Sequence, residues 1–156
     1  MKIAFACDHV GLELKYNLMD HAAEMGHKCV DFGCYSTTRA DYPLYGFKAA
    51  KAVCSGDCDL GVLICGTGFG ISLAANKVKG VRAVVCSEPY TAKLSREHNN
   101  ANMLAMGARV VGVELAKMIL DVWLNASPEG GRHAKRVSMI REIEETGQLN
   151  TAEDAD

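Results

Sequence analysis

The chain has little net charge of either sign: 17 lysines and arginines stand against 19 aspartates and glutamates, giving −2 over 156 residues. No global basic field is available to hold nucleic acid or an anionic membrane, so any anionic ligand must be met by local cations. Long apolar runs are also missing, and none approaches the roughly 18 residues that span a bilayer. The apolar start of MKIAFACDHVG stops at Asp8, too early for the hydrophobic region of a secretory leader. Seven cysteines are present (Cys7, Cys29, Cys34, Cys54, Cys58, Cys65 and Cys86), an odd number with no CxxC pair. That spacing supports neither a zinc site nor a disulfide framework. The expectation is a cytoplasmic protein with reduced thiols, most of them small core hydrophobes, and with neither membrane nor nucleic acid as partner.

What is there reads as one folded domain. Hydrophobic residues make up 49% and charged residues 23%, the balance of a globular chain rather than a disordered one. Short, nearly continuous apolar runs at 2–7, 28–32, 60–65, 81–86 and 108–111 suit strands buried on both faces of a parallel sheet. Between them lie amphipathic stretches at 11–25, 43–54, 70–78, 89–97, 113–124 and 133–145, the first closed by Gly26 and the second opened by Pro43. This alternation predicts a doubly wound α/β fold. We read residues 1–150 as a single domain and 151–156 as a frayed acidic tail. Such a fold binds ligands at the carboxyl ends of its strands. That edge is expected to carry Cys7-Asp8-His9, Cys65-Gly66-Thr67-Gly68, Ser87-Glu88 and, ahead of the fifth strand, His98-Asn99-Asn100.

Residues 60–72 read LGVLICGTGFGIS, a buried strand running through alternating glycines into a helix. Such a loop turns tightly and aims backbone N–H groups at an anion, either a phosphate or an oxyanion formed in a reaction. Three familiar motifs fail on spacing. A dinucleotide fingerprint from Gly66 needs glycine where Ile71 stands, a P-loop needs a lysine the loop lacks, and a cysteine phosphatase needs arginine at position 71. Cys65 remains, at the end of a strand beside a bank of amides. A thiol at a helix N-terminus has its thiolate favoured and can serve as nucleophile or base, although it can equally be the last core residue of its strand.

Several separated motifs in order carry a likeness: ACDHVG at 6–11, DYP at 41–43, ICGTGFGISLAANK at 64–77, RAVVCSEPYTAKLSREHNNANMLAMGARVVG at 82–112 and GGRHAKRV at 130–137. Together they resemble the type B ribose-5-phosphate isomerases over residues 1–145, in a family that also holds allose- and galactose-6-phosphate isomerases. The resemblance implies a Rossmann-like three-layer α/β/α domain with a five-stranded parallel sheet. It also implies a homodimer or pair of dimers with each site completed by the neighbouring subunit, and no metal or organic cofactor. One branch of the family uses a cysteine base and another a glutamate shortly after the glycine loop. Ile71 holds the glutamate position here, which places this chain with Cys65 in the cysteine branch.

The implied reaction interconverts ribose 5-phosphate and ribulose 5-phosphate through an enediolate. Carbon deprotonation requires a base that releases its proton near working pH, which fits Cys65. Thr67 relays protons between substrate oxygens, and the amides of Gly66, Gly68 and Gly70 steady the negative oxygen. Ring opening needs an acid–base group, and histidine titrates near neutrality; His98 alone could be a helix-end cap or surface residue, but the resemblance makes it the ring-opening group, with Asp8 orienting hydroxyls or capping a helix. Asn99 and Tyr42 line the sugar. Arg132 and Arg136 are four apart and share a helix face, where an anion relieves their repulsion. The alternative is a solvated basic face paired with Glu142, Glu144 and Glu145. The resemblance puts both arginines, with His9 and Arg109, at the phosphate. A hexose-6-phosphate isomerase is the first rival reading. A non-catalytic phosphosugar- or nucleotide-binding module, with Glu88 as its ribose acid, is the second.

Overall fold

The computed structural model describes residues 1–149, so the expected acidic tail at 151–156 lies outside the described residues. Five strands are described: β1 (Lys2–Cys7), β2 (Lys28–Asp31), β3 (Leu60–Cys65), β4 (Ala83–Val85) and β5 (Met103–Gly107). They pair in parallel throughout, in the order β2-β1-β3-β5-β4. Six helices join and flank them: α1 (Leu12–Glu24), α2 (Tyr42–Cys54), α3 (Phe69–Ala75), α4 (Pro89–Asn99), α5 (Val113–Asn125) and α6 (Gly131–Thr146). The expected three-layer Rossmann-like fold is borne out.

Strand alternation divides the core in two. Ile3, Phe5, Val62, Ile64, Leu104 and Met106 face α1, α4 and α5, where Leu14, Leu18, Ala92, Ile119 and the fully buried Trp123 complete the layer. On the opposite face small residues meet, Ala4, Ala6 and Ala105 against Ala49, Ala50 and Ala75, among the larger Leu63, Ile71 and Met103 and with Cys65 at the strand end. Small side chains let α2 and α3 ride close to the sheet, which brings the glycine loop down onto the strand ends.

The fifth strand departs from expectation. Residues 108–111 form a turn, and the strand is Met103–Gly107. Ala108 and Arg109 donate their amides to the carbonyls of Cys65 and Gly66, and Val110 and Val111 donate theirs to Gly107. The apolar look of 108–111 comes from Val111 turning back into the core, whereas methionine and alanine in the true strand carry weak β propensity.

Leaving β1, the chain goes to one side for β2 and to the other for β3. The crevice between the carboxyl ends of β1 and β3 is therefore the topological switch point, where sheets of this kind bind ligands. One fully buried cation guards it. Lys15 reaches both carboxylate oxygens of Asp31 at 2.7 Å and the carbonyl of Cys34 at 2.7 Å, tying the segment after β2 to α1.

Candidate active site

Strand register puts Cys7 beside Ile64 and Cys65 beside Gly107, so Asp8 and the glycine loop emerge next to one another. Asp8 is buried; its amide donates to the Ile64 carbonyl, and its Oδ1 accepts the amides of Val10 at 2.9 Å and Gly11 at 3.0 Å. This carboxylate organises the turn before α1 but does not cap the helix: the N-cap is Gly11, with no side-chain cap bond, so the capping alternative for Asp8 is corrected. His9 accepts the Ala40 amide at Nδ1 (3.2 Å), which leaves Nε2 to carry the ring proton.

Cys65 is 4% exposed, at the end of β3. Gly68 is left-handed at φ 84°, a conformation glycine adopts without cost, and this turns its amide back to donate to Cys65 Sγ at 3.1 Å. The loop lies on β5 because Gly107 has no side chain: a Cβ there would fall 2.8 Å from Thr67 Cα. Tyr42, the first residue of α2, rests on Gly70, and the Arg109 guanidinium lies over Gly66. Thr67 is exposed on the loop. Ile71 is fully buried against Gly46 of α2, so the position of the glutamate branch is a core position here.

The remaining expected residues lie elsewhere. His98 and Asn99 end α4, which runs back against the strands to the amino edge of the sheet. There Arg82, one residue before β4, donates Nε to the Asn100 carbonyl at 2.9 Å and its amide to Asn102 Oδ1 at 2.7 Å. The expectation that His98-Asn99-Asn100 joins the carboxyl edge is corrected. A crossover helix is antiparallel to the strand it follows, so a segment just before a strand sits at the opposite end from one just after it. Arg132 and Arg136 are exposed on α6, which packs on α4, and they share this second edge. Of the acids weighed against them, Glu144 accepts the Gly80 amide and Glu145 lies 3.9 Å from Lys79. Glu88 is spent too: it caps α4 by accepting the amides of Tyr90 and Thr91 at 2.6 and 2.8 Å.

Two residues at the second edge had no role assigned from sequence: Glu129 was missed, and His133 was noted only as the neighbour of Arg132 near the expected phosphate end. His133 is 8% exposed and stacks on His98, with ring centroids 4.0 Å apart and planes 4° from parallel. Glu129 places Oε2 3.5 Å from His133 Nε2 and 3.9 Å from His98 Nε2. The one sequence signal was Glu129 and His133 four apart across a helix start. Burial pushes the His133 imidazole below its ordinary value, and His98, Arg132 and Arg136 act in the same direction against Glu129. The three residues offer ligand atoms within 4.8 Å of one another, yet the arrangement does not suit a shared metal. Lone pairs of parallel rings lie in parallel planes and do not converge, and Arg132 Nε already donates to His133 Nε2 at 3.3 Å.

The model of the ribose/galactose isomerase family matches residues 3–140. The chain belongs to that family. The resemblance drawn from its motifs is borne out by close relatives. Ribose-5-phosphate isomerase B of Escherichia coli (strain K12) is 59% identical over 144 residues, covering 92% of this chain and 97% of that one. The solved ribose-5-phosphate isomerase B of Clostridium thermocellum superposes with a TM-score of 0.93 at 53% identity, covering 95% of this chain and all of that one. That of Mycoplasma genitalium, solved with bound ribulose-5-phosphate, gives 0.89 at 42%, over 93% and 97% of the two chains. In this member of the ribose/galactose isomerase family the candidate site residues fall into two groups, candidate half-sites at opposite edges of one sheet. No helix among the described residues is long and apolar enough to cross a membrane.

Proposed function

We propose that the chain interconverts D-ribose 5-phosphate and D-ribulose 5-phosphate in the cytoplasm, in pentose phosphate metabolism, as a homodimer or pair of dimers with no cofactor. The observation that carries this is the thiol of Cys65 at the switch point, one residue before a glycine loop whose Gly68 amide it accepts. The substrate class rests on the relatives named above.

Shared sites follow from the half-sites: one chain supplies the Cys65 edge and its partner the His98 edge. An apolar surface supports self-association. Leu44 and Phe47 on α2 and Phe69 and Leu73 on α3 are each more than half exposed, beside Tyr42 and the glycine loop. His98 of the partner protonates the ring oxygen as its bond to C1 breaks, and the C1 hydroxyl passes its proton to water as C1 becomes the aldehyde carbon, with Asp8 orienting the hydroxyls and Asn99 and Tyr42 holding the sugar. Cys65, as thiolate, takes the C2 proton, and the electrons move onto the C1 oxygen to give the enediolate. First-turn amides of α3, Gly70 among them, have no intrahelical acceptor and face this charge with Gly66. Thr67 passes a proton between the two oxygens, and Cys65 returns its proton to C1. His9 and Arg109 from one chain, with Arg132 and Arg136 from the other, meet the phosphate.

The test is ribulose 5-phosphate formation in chelator-containing buffer, with allose 6-phosphate in parallel. Robust pentose turnover is expected, falling about 10²–10⁴-fold in Cys65→Ala, the usual contribution of a positioned base. Full turnover in the mutant removes Cys65 as base. Activity on the hexose alone keeps the chemistry and changes the substrate.

A further inference from the structure

His98 occupies the last turn of α4, with its side chain one-third exposed, a poor place to fix a ring. What confines it comes from another element. His133, near the start of α6, lies face to face with it at 4.0 Å and is itself almost fully buried. The His133 ring is in turn fixed by the Arg132 Nε hydrogen bond to its Nε2, a bond that only a neutral imidazole accepts. Glu129, whose own amide donates to the Glu97 carbonyl at 3.0 Å, ties the segment before α6 to the end of α4 and presents its carboxylate near His98. The junction thus sets the plane of the His98 ring from one side and offers a counter-charge at its edge.

We propose that His133 is a positioning residue for His98, its stacked ring holding the His98 imidazole in the plane from which protons pass to and from the sugar ring. This rests on the reading of His98 as the ring-opening group. Misplacing a reacting group by about an ångström typically costs about 10²-fold, so the stack, rather than the ring nitrogens of His133, is what activity requires.

Four variants of the full-length enzyme separate these roles: His133→Phe keeps an aromatic face, His133→Asn keeps a polar group without one, and His98→Asn and the His98→Asn/His133→Asn double variant complete the set. On ribose 5-phosphate, kcat is expected to fall about 10–10²-fold in His133→Asn with KM nearly unchanged, and to stay close to the parent in His133→Phe. The double variant should be no worse than His98→Asn. The proton resonances of the His98 ring should show the displacement of a stacked aromatic in the parent and His133→Phe, and lose it in His133→Asn. Normal kcat in His133→Asn alongside an impaired His98→Asn overturns the positioning role alone, as does equal damage from Phe and Asn. Normal kcat in His98→Asn overturns the ring-opening reading, and the positioning role with it.

Discussion

Seven thiols share this chain, and their surroundings sort them. Burial pushes the Cys7 thiol up to about 12 even though Lys15 opposes it, and burial likewise raises Cys29, Cys54, Cys58 and Cys86. Cys7, Cys58 and Cys86 are the small core hydrophobes their sequence context indicated, Cys29 is half-buried, and Cys54 is exposed. Cys65 differs by geometry: it ends its strand at the switch point and receives a backbone N–H. Glu88 shows the opposite outcome for a polar residue that looked functional. Its carboxylate is held below the ordinary glutamate range first by the Thr91 hydroxyl, then by the Thr91 amide. A depressed carboxylate contributes stability above its unfolded value and loses it as pH falls through the folded one. Glu88→Ala is therefore expected to lower the thermal midpoint at pH 7. In melts across a pH series the gap to the parent should narrow below about pH 4.3, the unfolded glutamate value, with catalysis at neutral pH little changed.

At the scale of elements, the glycine loop works because β5 gives it room. Gly107 is where this is tested most sharply, since the atoms its missing Cβ would strike are the Thr67 Cα, C and O, all backbone. In Gly107→Ala the loop must lift, taking the Gly68 amide away from Cys65. Overpacking of this kind costs about 1–3 kcal/mol in stability, readable by urea unfolding. The accompanying loss in kcat should be larger, about 10²-fold, and an unchanged kcat would mean the loop position is not critical. The strands at 2–7 and 60–65 were legible because both are continuous apolar runs ended by a polar or glycine residue. Met103–Gly107 was not, because its strand character comes from being sandwiched between β3 and β4 rather than from β-branched residues. The motif His98-Asn99-Asn100 was found but misplaced: its place in the chain is written in the sequence, whereas the direction of its helix emerges only when the sheet is assembled. His133 stands beside Arg132 in the sequence but could be given no role there for a related reason, since its meaning lies in a ring on another helix.

At the scale of the molecule, one chain holds Cys65 with Asp8, His9, Tyr42, Thr67 and Arg109 at one edge, and His98, Asn99, Arg132 and Arg136 at the other. A site built across two copies predicts complementation. Cys65→Ala and His98→Asn homo-oligomers should each be nearly inactive. Mixed after dissociation and reassociation, random pairing makes half the dimers hybrid, and each hybrid has one site with both residues intact, so about a quarter of parent activity should return. No recovery on verified mixing would place both residues in the site of a single chain.

On the proposed site shared between two copies, a lone chain, however well folded, is only half an enzyme. Its turnover is then a property of encounter. Below the concentration at which copies remain paired, the rate per chain declines with dilution, and in that range output scales with the square of the amount of protein made. A cell that doubles expression from a low level gains more than twice the flux, a dose response set by nothing more than which end of a sheet each helix reaches.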